Sequence, residues 1–426
     1  MKKLIFLLTA VLLVTAQLYS QWVLQSTPTT NALEAIFVVN ANVIYAAGDD
    51  ETIIKTTNGG VNWFLLRENA AGKDYLDVYF VNENTGVAVG GLSSPIRVGL
   101  ISRTTDGGLH WVDFITTDGN FLALQFVNSF TGYLGGWVNS ASMSPVLKTT
   151  NAGVTWLAAV PFNCYGIECF SFLNETTGFA TGSYSGGEAI FKTTNGGYSW
   201  TLHSNFGNGF WLCSVFFVNA NTGWVSGNQS SPWGGLLRKT TNGGVNWTHQ
   251  TNANTNETYE LYFLNENTGW VAGDSPKIQK TTNGGVNWFT QSTPSGWWMW
   301  DIQFINENTG WAAGSQGKVF FTINGGGTVS VQNISTEIPN SYSLSQNFPN
   351  PFNPRTVISF QLPAVSDVML KVYDVTGKEI ATLVNERLQA GSYETTFDGS
   401  GLNSGVYFYR LTTDGFSETK RMVLIK

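Results

Sequence analysis

Two short phrases alternate along most of this chain, and their period constrains the fold more than any single residue does. The first is typified by Phe-Val-Asn-Glu-Asn-Thr-Gly, then an apolar stretch and a glycine. It occupies residues 80–90, 126–136, 172–182, 217–227, 263–273 and 304–314, with a worn copy at 38–48. The second is typified by Lys-Thr-Thr-Asn-Gly-Gly-Val-Asn-Trp and ends at Trp63, Trp111, Trp156, Trp200, Trp247 and Trp288. A degraded copy at 321–329 has lost its tryptophan. Successive tryptophans stand 48, 45, 44, 47 and 41 residues apart. Strand-like phrases joined by Gly-rich turns at this spacing predict an all-β fold, a β-propeller with one four-stranded blade per repeat.

The two ends of the repeat region complement each other. Trp22-Val-Leu-Gln-Ser-Thr-Pro28 matches Trp288-Phe-Thr-Gln-Ser-Thr-Pro294, so the first segment reads as the last strand of a repeat that lacks its beginning. The seventh repeat lacks the strand that would follow its turn. Residues 22–28 are therefore expected to pair into the seventh blade, closing a seven-bladed ring over 22–330 and removing the open strand edge. In the second repeat the expected strands are 76–81, 87–90, 100–103 and 111–114, with Leu76, Val78 and Phe80 alternating on the innermost one. In the turns, Thr and Asn or Asp side chains can accept backbone N–H bonds, and the paired glycines permit positive φ.

These boxes resemble the Asp-box (BNR) repeat, Ser/Thr-x-Asp-x-Gly-x-Thr-Trp, with Asn in place of Asp in every full copy except at Asp106. Together with the Phe-x-Asn-x-x-x-Gly-Trp phrase at 263–270, they are similar to the repeats of Ycf48/Hcf136-type propellers. The resemblance implies that the box is a structural hairpin away from the ligand face. Its Asn and Trp residues are then scaffold, and the propeller acts as an assembly or binding factor.

The chain begins with Met1-Lys2-Lys3 and a short apolar run over 4–14, followed by Ala16 and Ser20. This is the pattern of a secretory signal peptide over 1–20, too short to span a bilayer. No later stretch reaches spanning length, so no transmembrane segment is expected once the leader is removed. Three cysteines, Cys164, Cys169 and Cys213, are too few to hold the chain together. Cys164 and Cys169 are spaced to pair across a loop, and the odd count leaves a free thiol.

The repeats stop near residue 330. A polar stretch, 331–345, is expected to be a linker, and 346–426 a small Ig-like β-sandwich. Its strands are expected at 356–362, 368–374, 379–384, 393–397, 406–412 and 418–425. This tail resembles the type A sorting domain of the type IX secretion system, related to FlgD-like Ig modules. The resemblance rests on the segments at 347–354, 372–377, 405–411 and 420–426. It implies the secretion machinery as a partner. The destination is the outer-membrane surface or the medium of a bacterium with two membranes, reached through the periplasm.

Only 12% of residues are charged and the formal net charge is -7, so no basic patch is available for nucleic acid. Three residues before the phrase-initial position of each blade lie Ala35, Asp77, Ala123, Cys169, Ser214, Glu260 and Asp301. Glu34, Leu76, Glu168 and Trp300 are among those four before it. Glu260 and Asp301 occupy equivalent places in neighbouring blades and are the candidate acid–base pair of a glycoside hydrolase. Against that, solvated carboxylates are ordinary in a propeller channel. The arginines Arg67, Arg97, Arg103 and Arg238 are too few and too scattered for a sialidase cluster. No cofactor motif and no metal-ligand set appears. Aromatics in the loops leading into new blades are Tyr165, Phe210, Trp211, Trp297, Trp298 and Trp300. Exposed, they would offer flat faces to a sugar or a protein; buried, they would plug the channel. The sequence therefore favours a non-catalytic, exported propeller binding a protein or glycan, with an extracellular carbohydrate-active enzyme as the alternative.

Overall fold

The computed structural model of the chain describes residues 22–70, 72–92, 97–117, 119–139, 144–231, 233–250, 257–274, 278–291, 293, 298–326, 332–335, 338–399 and 402–426. The expected signal peptide, Trp297 and the loop tips at 93–96 and 140–143 lie outside them.

Seven four-stranded antiparallel blades are formed by residues 33–67, 74–116, 119–158, 166–207, 210–249, 258–290 and a composite last blade. In blade 2 the strands run Asp74–Phe80, Gly86–Leu92, Val98–Thr104 and Val112–Thr116, from the channel outward. The last blade consists of Met299–Phe304, Gly310–Gly314 and Val319–Thr322, with Val23–Gln25 as its outer strand. Val23 pairs with Phe321, Leu24 with Phe320 and Gln25 with Val319. The other side of blade 7 meets blade 1, where Ile36 N donates to Asp301 Oδ2 at 2.7 Å and Val38 N to Gln303 Oε1 at 3.0 Å.

The repeated aromatics form the seams. An aromatic on the second strand of one blade stacks flat on the phrase-initial Phe of the next. The pairs are Tyr45 on Phe80, Tyr133 on Phe172, Phe179 on Phe217, Trp224 on Phe263 and Trp270 on Phe304, with centroids 3.5 to 3.9 Å apart. The box Trp of the receiving blade meets that Phe edge-on, as in Phe80–Trp111 and Phe263–Trp288. Trp22 occupies the box position of blade 7, fully buried and edge-on to Phe304.

Each box closes its own hairpin. Thr281 Oγ1 accepts from Asn283 N and Gly285 N, and Asn283 Oδ1 accepts from Thr281 Oγ1 and Asn287 N. The first box glycine then donates its N–H to the turn between the first two strands, as in Gly284 N to Asn267 O and Gly59 N to Asn42 O. Both turns thus occupy one face of the ring, opposite the loops that lead into each new blade.

The C-terminal domain is a sandwich of two four-stranded sheets around Ile358, Phe360, Leu370, Tyr409 and Leu411. The stretch expected as a linker supplies strands instead. Gln332–Ser335 pairs with Gly391–Asp398, and Ser343–Leu344 with Arg355–Leu362. Both are short edge strands, too brief for a periodic pattern to mark them in a polar stretch.

Candidate functional site

The innermost strand of each blade carries a bulge where two residues oppose one on its neighbour. The extra residues are Glu34, Leu76, Leu122, Glu168, Cys213, Tyr259 and Trp300, and all seven are half-buried around the channel. Leu76 therefore faces the channel rather than continuing the alternation with Val78 and Phe80. Tyr75, ahead of the bulge, is the residue that fills the core.

Immediately after the bulge comes the position holding Ala35, Asp77, Ala123, Cys169, Ser214, Glu260 and Asp301. Here the side chains tie one blade to another. Asp77 Oδ2 accepts from Leu124 N of blade 3 at 2.6 Å, and Asp77 Oδ1 from Val78 N at 2.7 Å. Asp301 repeats the pattern with Ile36 N of blade 1 and with Ile302 N at 2.6 Å. Ser214 Oγ accepts from Leu261 N at 3.4 Å and donates to Glu260 Oε1 at 2.8 Å. Burial, and then the Asp301 charge, push Asp77 and Glu260 well above the usual carboxylate range. Burial alone raises Asp301 to about 6. The sequence-predicted pair is thus placed in neighbouring blades, as expected, but both Asp301 oxygens already accept backbone hydrogens. That arrangement suits a blade-to-blade clasp better than a proton shuttle.

Nearer the solvent the acids are less engaged. Glu34 is raised to about 8 by burial and by Asp49 and Asp74. Asp49 is raised to about 6 by burial and by Asp74 and Asp50. Glu168 is raised to about 7 by burial and by Glu188, although Trp137 Nε1 donates to it at 2.9 Å. Among the described residues, no group of three or more His, Cys, Asp or Glu side chains is arranged to hold a metal ion.

The loop aromatics divide. Trp211 is 59% exposed, Trp298 51% and Tyr165 42%, whereas Phe210 and Trp300 are half-buried. Trp211 and Trp298 stand two residues before their bulges, at the same height above the channel. Phe210 turns away from the mouth and, with Phe206, flanks the Arg238 guanidinium at 5.2 Å on each side. Trp233, 72% exposed in the Ser230–Trp233 hairpin of blade 5, is an indole the sequence reading missed. Its Ser-Ser-Pro-Trp-Gly-Gly context, a turn between second and third strands, was the available signal. The three cysteines are free, and buried Cys164 donates to Gly166 O rather than bonding Cys169.

With this geometry in view, comparison with known proteins places both parts of the chain. Residues 346–426 match the family described as Secretion system C-terminal sorting domain. The C-terminal sandwich is a sorting domain of that family. It assigns the chain to export by the type IX secretion system, to the cell surface or extracellular space. No helix among the described residues is long and apolar enough to cross a membrane. Ahead of the sorting domain, the propeller is Ycf48-like in fold. A structure described as YCF48 bound to D1 peptide is 19% identical, with a TM-score of 0.57, covering 75% of this chain and 100% of that one. YCF48 from Cyanidioschyzon merolae is 18% identical with a TM-score of 0.56, covering 71% and 98%. A GH74 xyloglucanase from Xanthomonas campestris is 10% identical with a TM-score of 0.55, covering 80% and 59%. At these identities the likeness is one of fold alone. Curated protein sequences gave no match.

Proposed function

We propose that the propeller is a non-catalytic recognition module, carried outside the cell by its sorting domain and binding a protein or glycan at the channel mouth. The observation that carries this reading is the exposure of Trp211 and Trp298 at equivalent heights over the channel. The seam tryptophans Trp22, Trp224, Trp270 and Trp311 are, by contrast, fully buried. An indole left in water at a fixed height on a rigid ring is a ready-made contact surface, since recognition sites are enriched in rigid aromatics. The clasp role of Asp77 and Asp301 supports binding over catalysis. The solved relative described as bound to a peptide is consistent with ligand capture by this fold.

The test is a combined peptide and glycan array probed with the purified protein, followed by product analysis on whatever is retained. Binding without turnover, weakened in a Trp211→Ala/Trp298→Ala variant and unchanged in Glu260→Gln/Asp301→Asn, is the expected result. Hydrolysis of a bound glycan, lost in the Glu260→Gln/Asp301→Asn variant, would overturn it.

A further inference from the structure

We infer that the channel mouth receives a cationic side chain, lysine or arginine, of a polypeptide partner. This rests on the recognition reading above and names its ligand class.

Three consecutive blades present the relevant groups. Blade 6 brings Glu257 and Tyr259, blade 7 Trp298 and Trp300, and blade 1 Glu34, with Asp49 just past its second strand. The Trp298 and Trp300 rings meet at 6.4 Å and 61°, an edge contact that leaves an indole face open. Tyr259 Oη donates to Glu257 Oε2 at 2.6 Å, fixing a carboxylate beside an aromatic ring. Indole faces flanked by carboxyl groups attract a cation through the ring quadrupole and through the ionised carboxylate, the form that an arriving cation favours.

The two faces of the ring differ in how their charges are used. On the box face, Lys55, Lys148 and Lys239 donate to the box carbonyls of the next blade, at Gly107, Gly196 and Gly284. There Glu83, Glu175 and Glu266 accept from Asn40, Asn128 and Asn219. At the mouth, Glu34, Asp49 and Glu257 form no ion pair among the described residues. Of the cations in blade 1 and the loop that follows it, Arg67 and Lys73 bind Glu51. Like charges crowd one another here, and an incoming cation relieves the repulsion. A neutral glycan would stack on the indoles but leave the carboxylates uncompensated. Charge complementarity therefore selects a basic polypeptide.

The probe is a fluorescein-labelled Gly/Arg heptapeptide, with a citrulline counterpart that keeps the shape and removes the charge, read by anisotropy on the purified protein. A neutral glycan array is run in parallel. The arginine peptide should bind, and the citrulline peptide at least about ten-fold more weakly. Glu34→Gln/Glu257→Gln and Trp298→Ala should each lose about ten-fold or more. Glu266→Gln on the opposite face should bind as the parent does. Equal binding of both peptides, or affinity unaffected by Glu34→Gln/Glu257→Gln, overturns the inference. A neutral glycan as ligand, weakened by Trp298→Ala, overturns it while leaving the recognition reading intact. Binding of neither class overturns both.

Discussion

The indole of Trp22 meets the ring of Phe304 edge-on, with centroids 5.7 Å apart and planes at 81°, although 282 residues separate them in the chain (304 − 22). Phe304 is at the same time stacked flat on Trp270 at 3.6 Å. Trp22 thus completes an aromatic triplet that four other seams build from local repeats, as in Tyr45–Phe80–Trp111 and Trp224–Phe263–Trp288. Trp22→Ala should destabilise the protein by about 3–5 kcal/mol, seen as a lower denaturant midpoint at unchanged slope. Trp233→Ala, at a 72% exposed position, should stay within about 0.5 kcal/mol of the parent. Equal effects from the two would remove Trp22 from the closure.

Tyr45 hydroxyl donates toward the backbone carbonyls of Glu83 and Gly107 in the next blade, at 3.0 and 3.1 Å. Tyr45→Phe keeps the stack on Phe80 and removes only these bonds. A loss of about 1 kcal/mol is expected on chemical denaturation, because the Gly107 carbonyl keeps Lys55 as a donor and the Glu83 carbonyl loses the tyrosine hydroxyl.

Thr281→Val removes the oxygen that gathers Asn283 N and Gly285 N into the sixth box. The cost should be about 1–3 kcal/mol. Gly285→Ala should also destabilise, since its φ is +91° and a new Cβ would lie 2.6 Å from Gln250 Oε1. Neither change should alter ligand binding, because the box face lies opposite the mouth. Binding measured beside thermal melts checks both halves of that statement.

Stability should fall as pH rises from about 5 to about 8. Glu34, at about 8, is raised by burial and then by Asp49 and Asp74. Glu168, at about 7, is raised by burial and then by Glu188. Burial raises Asp301 to about 6. A carboxyl raised on folding binds more protons folded than unfolded, so its contribution is complete below the unfolded value. It disappears as pH passes through the folded value. Below about pH 4 the sign reverses for Glu51 and Asp113. Burial opposes their ionisation, but hydrogen bonds from Lys73 and Arg67 to Glu51, and from Arg67 to Asp113, hold both low. Thermal melts across this range should peak near pH 5, and Glu34→Gln should flatten the alkaline limb. A flat profile from pH 5 to 8 in the parent would refute the assignment.

Removing residues 346–426 should leave the propeller folded but stop its passage across the outer membrane. Cell fractionation should then find the truncated protein in the periplasm, with the parent at the surface or in the medium. Surface delivery of the truncated chain would show that export does not depend on the sorting domain.

The repeat count, the pairing of the segment from Trp22 into the last blade and the six main strands of the sandwich were legible because each rests on a phrase that recurs or on strict alternation. The bulges were not. Leu76, Val78 and Phe80 alternate by sequence spacing, and a residue inserted opposite Val89–Gly90 shows only when the partner strand is aligned with it. That one omission explains why Asp301 and Glu260 read as free acids. Their bonds to Ile36 N and Ser214 Oγ belong to a neighbouring blade, and no pattern within one strand reports them. Trp211 and Trp298 were identifiable by alignment of the blades, but their exposure depends on how high each inner strand starts. Trp233 sits at a hairpin turn, where no strand or helix periodicity reports whether a side chain is exposed.

The surplus residue in each innermost strand has an evolutionary consequence. Positions such as Glu34, Cys213 and Trp300 take no part in the aromatic triplets and stand outside the regular ladder. On the recognition reading proposed above, substitution there changes specificity one sector at a time while the wheel itself stands. On that same reading, a ring of this kind gains a new target without first gaining new stability.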